Sequence, residues 1–572
     1  MAALRSCEHK STDSSRRFVK STRRLFLGLV AVTLIFATPL FSSSREKGSL
    51  IHLLHADELF YNQRINRNAQ ILVGNVRFRH DDVILTCDSA LYYEASNNFD
   101  AYGNVRMNQG DTVTLTSDVL FYNGTEQMAR ARYNVVLTHF DSRLYCDSLD
   151  YDRVYDLGYF FNGGKMVDDK NTLVSDWGQY CPTTREAVFN YNVMLETPSS
   201  VLISDTLHYN TNTEVARIVG ESNIDNGDNH IWSTNGTYDT RSDHAVLLDR
   251  SVVSNKGRVI TADSLDYVGE GSVSRAFGNI VYTDEVNKNI FKGHYGMYAD
   301  SIGYSEAADS AVLIDYSQRD TFYIHADTFK VYTYDIRTDS VWREMRAYKH
   351  VRAYRRDLQG VCDSLVYISK DSCMTMYHDP ILWQNGQQLL GEEIKAWNND
   401  STIDSTHVLR QALSVERLDS ICYNQITGNA ICSYFTNGKM RETRVVGNVI
   451  LNYYPYDSDS LMIGMLHSES TELRLFMGEE KVDKIWMPAA EGVLHPLALV
   501  PHNERFLESF AWFDYVRPVD KDDIFNWRPK KAGSELKISA PRSKPKRKGI
   551  GGDKNDGTKG VARKLTNNVQ NH

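Results

Sequence analysis

A short phrase returns about every thirty residues between residues 57 and 397, and it limits the fold of this chain more than any other feature. Each copy has an aliphatic residue, an aspartate three positions later and a tyrosine four positions after that. Six copies carry all three residues: Leu85, Asp88 and Tyr92; Leu115, Asp118 and Tyr122; Leu144, Asp147 and Tyr151; Leu173, Asp176 and Tyr180; Leu202, Asp205 and Tyr209; and Ile260, Asp263 and Tyr267. A period of this length, sustained over about twelve copies, predicts a stacked repeat fold. Function is then expected along a surface or an interior groove.

The residue types within each copy predict strands. Aromatic residues make up 11% of the chain, with 33 tyrosines, and apolar residues at helical spacing are almost absent before residue 500. The apolar residue three before Asp and the small residue one before it share one strand face. Leucines two after Asp and tyrosines four after it share the next face. Stacked copies would form two facing sheets around a lengthwise apolar seam.

Two polar steps are expected to make the corners of each copy. The Asp is predicted to bond nearby backbone amides, as turn aspartates do. Gly-Asn steps such as Gly74-Asn75, Gly103-Asn104 and Gly278-Asn279 are predicted to form tight turns before the next strand. The repeated Asp lacks the clustered Asp, Asn and Gly residues of a calcium loop, so a turn role is favoured over metal binding.

Charge is distributed unevenly. Residues 1–24 carry a net charge of +5 and residues 528–572 a net charge of +10, whereas the whole chain carries −9. The body between them is therefore at −24, which disfavours nucleic acid as its partner. The basic composition of the tail is typical of a disordered segment that keeps the chain soluble. The alternative is that the tail binds an anionic surface.

The N-terminus is typical of an export signal. Basic residues up to Arg24 precede an uncharged run from Leu25 to Phe41, and Ser42 to Ser44 follow. The run suits either a cleaved signal peptide or a retained membrane anchor. In both cases the rest of the chain is predicted to be exported. Removing Cys7 with the signal leaves seven cysteines, and only the pairs Cys362–Cys373 and Cys422–Cys432 are spaced to close hairpins.

Four regions follow from these patterns: a signal or anchor at residues 1–44, the repeat array at 45–397, a smaller, mainly β capping domain at 398–527, and a disordered basic tail at 528–572. The capping domain is predicted because an open final rung would expose unpaired backbone amides. Within it, Asn503–Phe513 is the one segment predicted to be helical, since Pro501 precedes it.

The two-part phrase, Gly-Asn-Val and then Leu-x-Cys/Ser-Asp, resembles the OstA/LptA family of organic-solvent-tolerance and lipopolysaccharide-transport proteins over about residues 55–400. The resemblance implies an elongated open β-jellyroll in the periplasm whose apolar groove holds the acyl chains of lipopolysaccharide. It also implies end-to-end assembly, with itself or other bridge components, between the inner and outer membranes. The array is longer than a minimal soluble bridge component, and no transmembrane barrel follows it.

On this resemblance, the groove would be lined by one leucine column and one tyrosine column. The candidate lipid-binding residues are Leu59, Tyr61, Leu85, Tyr92, Leu115, Leu120, Tyr122, Leu144, Leu149, Tyr151, Leu173, Leu202, Leu207 and Tyr209. Leu120→Asp is expected to abolish lipid capture without unfolding the array. A partner would add by strand pairing at the open edge of the first rung.

One other functional class stays open. The same columns would be ordinary core in a filled, purely structural repeat protein, and periodicity alone cannot separate that core from a groove. The sequence lacks the motifs of hydrolases, phosphate-binding loops and dinucleotide sites, so no enzyme activity, cofactor or resident metal is predicted. An anchored inner-membrane tether of the bridge is the alternative within the transport class.

Overall fold

The computed structural model describes residues 49–531, apart from residues 63, 65–67, 228, 269–272, 337, 339, 385, 400–401, 460 and 479–481. Nearly all regular structure in this part of the chain is β-strand, which confirms the predicted fold class. The predicted export signal at 1–44 and the tail from residue 532 onward lie outside the described residues. Within residues 49–531 as described, no helix has the length and apolarity to span a membrane.

The chain divides into two compact units, residues 1–222 and 223–572, with the boundary inside strand β13. The first unit contains β1 (His52–His55), β2 (Glu58–Tyr61), β3 (Gln70–His80), β4 (Val83–Tyr93), β5 (Asn98–Gln109), β6 (Val113–Asn123), β7 (Met128–His139), β8 (Ser142–Asp152), β9 (Leu157–Asp168), β10 (Asn171–Cys181), β11 (Glu186–Glu196) and β12 (Val201–Asn210). Strand β13 spans Val215–Asp225.

The second unit has strands that vary in length from four to fifteen residues. It contains β14 (His230–Asp239), β15 (His244–Leu248), β16 (Val252–Asn255), β17 (Arg258–Thr261), β18 (Ser264–Val268), β19 (Val273–Asp284), β20 (Asn289–Ala299), β21 (Tyr304–Asp315), β22 (Phe322–Tyr334), β23 (Trp342–Arg355), β24 (Leu358–Ile368), β25 (Cys373–Tyr377), β26 (Ile381–Gln384), β27 (Gln387–Leu390), β28 (Glu393–Asn398), β29 (Ile403–Arg417), β30 (Tyr423–Thr436), β31 (Lys439–Tyr453), β32 (Gly464–Met477), β33 (Val482–Trp486) and β34 (Glu491–Pro496). Single 3-10 turns occur at Glu94–Ser96, Asp300–Ile302, Leu497–Leu499, Asp514–Val516 and Asp523–Phe525.

From β3 to β12, successive strands pair antiparallel, and each of these ladders shifts register near its middle. In the β3–β4 ladder Val73 faces Ser89 and Val76 faces Cys87, so Gly74 and Asn75 together lie opposite Asp88. Two residues against one make a β-bulge, which bends a strand sharply without ending it. Each strand therefore contributes one half to each of two facing sheets.

The predicted roles of the Gly-Asn steps and of the repeated Asp at the corners were both wrong in part. Gly-Asn lies inside continuous strands instead of forming a turn between them, because both residues adopt positive φ angles, +74° and +45° at Gly103 and Asn104. The Asp carboxylate accepts a hydrogen bond from the Asn side chain of the next strand. These corner bonds measure 2.9 Å for Asn75 to Asp57, 2.8 Å for Asn104 to Asp88, 2.7 Å for Asn134 to Asp118, 2.7 Å for Asn192 to Asp176 and 2.7 Å for Asn279 to Asp263.

The corner glycine is a sensitive point of the fold. A Cβ added at Gly103 would lie 2.5 Å from Asp88 Oδ2, at a φ that L side chains rarely adopt. We predict that Gly103→Ala lowers the free energy of unfolding by about 2 kcal/mol or more. Gly110→Ala is the matched control, because Gly110 also has a positive φ (+56°) but meets nothing within 4 Å. Urea unfolding curves of both variants measure the difference, and equal losses would mean that φ strain alone, not the corner contact, sets the effect.

The two sheets of the first unit meet through their apolar faces. Phe78 and Phe99 belong to different sheets and are not ladder partners, yet their rings stack with centroids 4.3 Å apart. We call the sheet that holds Leu85 and its counterparts sheet 1, and the sheet that holds Leu120, Tyr122 and their counterparts sheet 2. The corners close one long side of this sandwich. The opposite side, where the hairpin ends of the sheets meet, is called the mouth.

The first rung of the first unit presents an exposed edge. Strands β1 and β2 both pair with β3, and all four residues of β2 are exposed. In the second unit, β33 and β34 both pair with β32, and five of the six β34 residues are exposed. The predicted boundary at 397/398 falls inside β28, before its last residue, and β28 pairs with β29. The capping role of residues 398–527 stays a prediction.

After its last strand the chain turns back across the outside of the second unit. Phe513 and Val516 of this C-terminal strap (residues 500–531) pack with the buried residues Val361, Ile381, Trp383, Leu390, Leu413 and Val415. Buried side-chain amides hold its backbone at three points: Asn452 donates to the Glu504 carbonyl (2.8 Å), Gln425 donates to the Arg505 carbonyl (2.9 Å) and accepts from the Leu507 amide (2.9 Å), and Gln388 donates to the Ala511 carbonyl (2.8 Å) and accepts from the Phe513 amide (2.7 Å).

The strap ends on a buried charge cluster. Arg352 is fully buried and donates to the Val516 carbonyl (2.9 Å) and to Asp523 (3.3 Å), which also pairs with Arg528. Burial lowers the pKa of Arg352 to about 10, against the opposing charge of Asp523, so it stays protonated at neutral pH.

The helix predicted at Asn503–Phe513 is wrong. Residues 502–509 form turns and bends without a helix. Gln425 and Gln388 each bind a backbone carbonyl and a backbone amide two residues apart, groups that a continuous helix would use for its own hydrogen bonds. The described cysteines are all free, so the hairpin disulfides left open by the sequence are absent from this structure, and Cys7 lies outside the described residues.

Candidate functional site

The candidate site is the apolar interior of the first unit. Its sheet 1 face is a continuous ladder row that runs Leu85, Met107, Leu115, Leu137, Leu144, Met166, Leu173, Leu195 and Leu202, one residue per strand. The row forms because the bulges keep the same register from rung to rung, so residues at equal distances from each corner align. The predicted leucines three before Asp thus lie in one line, as expected.

The sheet 2 face combines large and small residues. Its ladder row reads Ala90, Ala101, Leu120, Ala131, Leu149, Phe160, Gly178, Phe189 and Leu207. An added Cβ at Gly178 would lie 2.4 Å from the Phe160 ring, so this ring fills the space that a side chain would occupy. Large groups set against small ones give close packing without strain.

Twelve of the fourteen predicted lipid-binding residues line this interior and are almost excluded from solvent. No side chain among Leu85, Leu115, Leu120, Leu144, Leu149, Leu173, Leu202, Leu207, Tyr92, Tyr122, Tyr151 and Tyr209 is more than 7% exposed. The other two, Leu59 and Tyr61, lie on β2 at 54% and 55% exposure and are not part of the closed interior. Whether lipid contacts any of the fourteen stays a prediction.

Sequence reasoning missed four of the nine residues in the sheet 1 row. Met107, Leu137, Met166 and Leu195 come from the strands between the predicted leucines. A signal for three of them was present: Met107, Leu137 and Leu195 each stand three residues after the corner Asn. The prediction was aligned on Asp alone, so this second register was not used.

The tyrosine column closes the mouth. We call Tyr92, Tyr122, Tyr151, Tyr180 and Tyr209 the tyrosine zipper, because each hydroxyl forms a hydrogen bond near the mouth. The partners are the Ile51 carbonyl for Tyr92 (3.1 Å), His80 for Tyr122 (2.6 Å), Asp156 for Tyr151 (2.7 Å), His139 for Tyr180 (2.8 Å), and Asp168 (3.0 Å) and Asn171 (3.0 Å) for Tyr209. Four of these partners, His80, His139, Asp168 and Asn171, end or begin a sheet 1 hairpin strand. The zipper therefore ties sheet 1 to sheet 2.

Hydrogen-bond geometry keeps His80 in its neutral form. Its Nε2 lies 2.8 Å from the Ser49 carbonyl, which only accepts, so Nε2 carries the proton. Its Nδ1 lies 3.2 Å from the Arg153 guanidinium, which only donates, so Nδ1 accepts and also receives the Tyr122 hydroxyl. Burial lowers the pKa of His80, and the nearby Arg153 charge adds to that effect, while the Ser49 carbonyl opposes it. Burial likewise lowers the pKa of His139, and Arg185 lowers it further.

These two histidines predict a loss of stability on mild acidification. Their folded-state pKa values lie below the ordinary value of about 6.5, so the unfolded chain binds more protons between those values and 6.5. The free energy of unfolding of the first unit should therefore fall as pH is lowered from 7 through 6.5. Urea unfolding at pH 7.5 and 5.5 measures this, and the His80→Gln, His139→Gln double variant should show a smaller pH difference.

Asp168, which bonds Tyr209 of the zipper, contributes to the pH dependence of stability in the opposite sense. Burial raises the pKa of Asp168, against the lowering effect of the hydrogen bonds from Ser142 and Tyr209. Because its pKa is raised, the Asp168 carboxyl binds a proton more readily in the folded state than in the unfolded state. Lowering the pH through that pKa therefore raises the contribution of Asp168 to the free energy of unfolding. A double variant with an undiminished pH response would locate the titrating groups away from His80 and His139.

No group of three or more His, Cys, Asp or Glu side chains within the described part of the chain is arranged to hold a metal ion. Five of the repeated Asp residues accept hydrogen bonds from corner asparagines.

Comparison with known proteins finds a family match for one part of the chain. Residues 48–205 match the family model of OstA-like proteins, which confirms the resemblance over this stretch of the first unit. A search of curated proteins found no match. The wider resemblance, from residue 206 to about residue 400, stays a prediction.

Proposed function

We propose, on the premise that residues 48–205 are OstA-like, that the protein binds lipopolysaccharide by its acyl chains in the periplasm and carries it toward the outer membrane. The observation that carries the proposal is an overlap between the family match and the candidate site. The OstA-like residues include the whole leucine row from Leu85 to Leu202 and four of the five zipper tyrosines. The proposal gives the protein no catalytic role and no cofactor.

Affinity would come from the acyl chains and not from the headgroup. The body of the chain is at −24, so it repels the phosphates of the lipid, although salt screens that repulsion beyond about 8 Å. Each acyl CH₂ removed from water contributes about 0.8 kcal/mol. A few buried methylenes per rung therefore outweigh a screened surface repulsion.

Because the interior is closed, lipid entry requires the mouth to open. Opening one rung breaks one or two zipper hydrogen bonds, each with a net value of about 1 kcal/mol. Burial of two or three methylenes in the same rung offsets that cost. The hydrogen bonds of the zipper are thus strong enough to keep the lipid-free interior closed. They are also weak enough for the burial of acyl chains to offset their loss.

The exposed first rung would serve assembly. Leu54, Leu59, Phe60 and Tyr61 are each more than 40% exposed, and β2 is paired by β3 on one side. An added strand from another bridge component, or from a second copy, would extend the sheet there. Under this proposal Leu59 and Tyr61 contact the partner as well as the lipid.

Photo-crosslinking in intact cells tests the proposal. A photoreactive residue replaces Leu120, which faces the interior, and the matched control replaces Phe121, its outward-facing neighbour at 40% exposure. We expect an adduct of lipopolysaccharide mass from position 120 and none from position 121. Crosslinks from position 120 that stay within the chain would contradict lipid transport.

One observation favours a second candidate, a structural repeat protein with a filled interior. Leu120, Leu149, Phe160 and Phe189 are all 0% exposed, and Gly178 makes room for the Phe160 ring. Purified protein that carries no lipid and gives no adduct at position 120 would support this candidate. Within the transport proposal, an inner-membrane tether is the alternative if Leu25–Phe41 is retained, and N-terminal sequencing of the exported protein decides between them.

A further inference from the structure

The chain crosses the mouth of the first unit just before its first strand. Strand β1 pairs with the sheet 1 half of β3. Residues 49–51, which precede β1, lie across the mouth and reach sheet 2, where Ser49 and Ile51 both contact Asn97 in the β4–β5 hairpin. We call residues 49–51 the latch, because they join hairpin ends of the two sheets.

Four hydrogen bonds hold the latch. Asn97 accepts from the Ile51 amide (2.8 Å) and donates to the Ser49 carbonyl (3.1 Å). His80 donates to the same carbonyl from Nε2 (2.8 Å), and the Tyr92 hydroxyl donates to the Ile51 carbonyl (3.1 Å). His80 ends a strand of sheet 1, whereas Asn97 lies in a hairpin of sheet 2. The latch is therefore bonded to both sides of the mouth.

A glycine makes room for the latch. Ile51 is 3% exposed, and a Cβ added at Gly124 would lie 2.7 Å from its Cδ1 atom and 2.6 Å from Asn97 Nδ2. Arg153 and Thr211 occupy the equivalent position in later hairpins, where their amides make the same backbone hydrogen bond as the Gly124 amide. Gly124 also lacks a positive φ. The glycine thus serves the contact with Ile51 and not the turn itself.

The latch places an apolar side chain at the entrance to the apolar interior. Tyr92 connects the two, because its hydroxyl bonds Ile51 while its ring centroid lies 5.5 Å from that of Phe78, between the sheets. An acyl chain that enters here takes the place of another apolar group. The barrier to that exchange is set mainly by the four hydrogen bonds, and burial of methylenes inside offsets their loss.

We propose that the latch is an autoinhibitory contact: it occupies the entrance between the first rungs when no lipid is bound, and the acyl chains of lipopolysaccharide displace Ile51 as they enter. This inference rests on the proposed function. It adds a point of entry at the first rungs and a means of regulating it, formed by Ile51, Asn97 and Gly124.

The test weakens the latch and follows lipid entry. Purified full-length chain with a photoreactive residue at position 120, on the strand that leads to Gly124, is mixed with micelles of purified lipopolysaccharide, and adduct formation is followed in time. Asn97→Gly removes two latch bonds and tolerates the positive φ of +57° at this position. We expect it to raise the labelling rate roughly tenfold.

Gln127→Gly is the matched control. Gln127 holds the equivalent position in the next hairpin of sheet 2, at a φ of +54°, and its carbonyl accepts from the Arg153 amide as the Asn97 carbonyl accepts from the Gly124 amide. The control variant loosens a hairpin in the same way without touching the latch, so its labelling rate should equal that of the wild type.

Two further measurements do not depend on Asn97. Gly124→Ala places a methyl group against Ile51 and should also speed labelling, since the equivalent hairpins accept larger side chains. In the wild type, hydrogen exchange of the Ile51 amide should become faster when lipopolysaccharide is added, while the amides of β4 stay protected. Equal displacement by vesicles of phosphatidylglycerol would support the latch with phospholipid as the source of acyl chains.

The outcomes separate the latch from the function it rests on. Lipid adducts at position 120 that form at equal rates in Asn97→Gly and wild type would overturn the latch and leave lipid binding intact. An Ile51 amide whose exchange does not respond to lipid, although adducts form, would do the same. Absence of adducts in every variant would overturn both proposals.

Discussion

Replacing Leu120 with aspartate is expected to unfold the first unit. Leu120 is 0% exposed and lies in the ladder row between Ala101 and Ala131, where no polar group of the row can pair with a carboxylate. The buried, unpaired carboxylate and the loss of the leucine side chain should together lower the free energy of unfolding by more than about 4 kcal/mol. This revises the expectation from sequence, in which the same variant lost lipid capture but kept its fold.

The control for this variant is Phe121→Asp. Phe121 is 40% exposed and faces away from the interior, so its replacement should change the free energy of unfolding by less than about 1 kcal/mol. Hydrogen exchange of the amides in residues 49–222 measures both variants. A Leu120→Asp protein that keeps full protection would show that the interior has room for a solvated side chain, which is the property of an open groove.

Removal of the C-terminal strap is expected to destabilise the second unit by several kcal/mol. A chain ending at Val500 loses the cover over Trp383, Leu390 and Leu413, three side chains that are at most 1% exposed. It also loses the backbone partners of Gln388 and Gln425, both 0% exposed. Binding of a hydrophobic dye and urea unfolding of the second unit measure the effect.

Two controls isolate the strap. A chain ending at Lys531 removes only residues that follow the strap and should match the full-length protein. Arg352→Met tests the charge cluster alone and should cost about 3–5 kcal/mol, since it leaves Asp523 with one buried partner fewer. Arg346→Met, at an arginine 38% exposed and paired with Glu344, should cost no more than about 1 kcal/mol. Equal stability of the chains ending at Val500 and Lys531 would mean that the strap is a passive surface segment.

The repeat alone predicted much of the first unit. A fixed period of Leu, Asp and Tyr is local information, so it specified the strands, the faces and the buried columns that the structure has. The corner hydrogen bonds could not be derived in the same way, because the partner of Asp118 is Asn134, on the next strand. The bulge was also hidden, because a Gly-Asn pair with positive φ angles inside a strand looks the same in sequence as a Gly-Asn turn.

The strap could not be predicted because its partners are scattered. Asn452, Gln425, Gln388 and Arg352 are separated from their strap contacts by 52 to 164 residues, and each is an ordinary polar residue in its own strand. The apolar residues of 503–513 suggested a helix when taken alone. Only the folded sheet shows that buried amides on other strands hold this segment as a series of turns.

The direction of the strap has a consequence for the order of events after synthesis. Its first contact is with β31, and later residues reach β30, β27, β24 and β23 in turn, so it retraces the sheet from late strands to early ones. Every strand it touches precedes it in the chain, and long-range contacts form late in folding. A chain interrupted before residue 504 would present a bare row of amides and apolar side chains, whereas a finished chain hides them. The strap therefore distinguishes chains that carry it from chains that lack it, a difference that chaperones and proteases can detect.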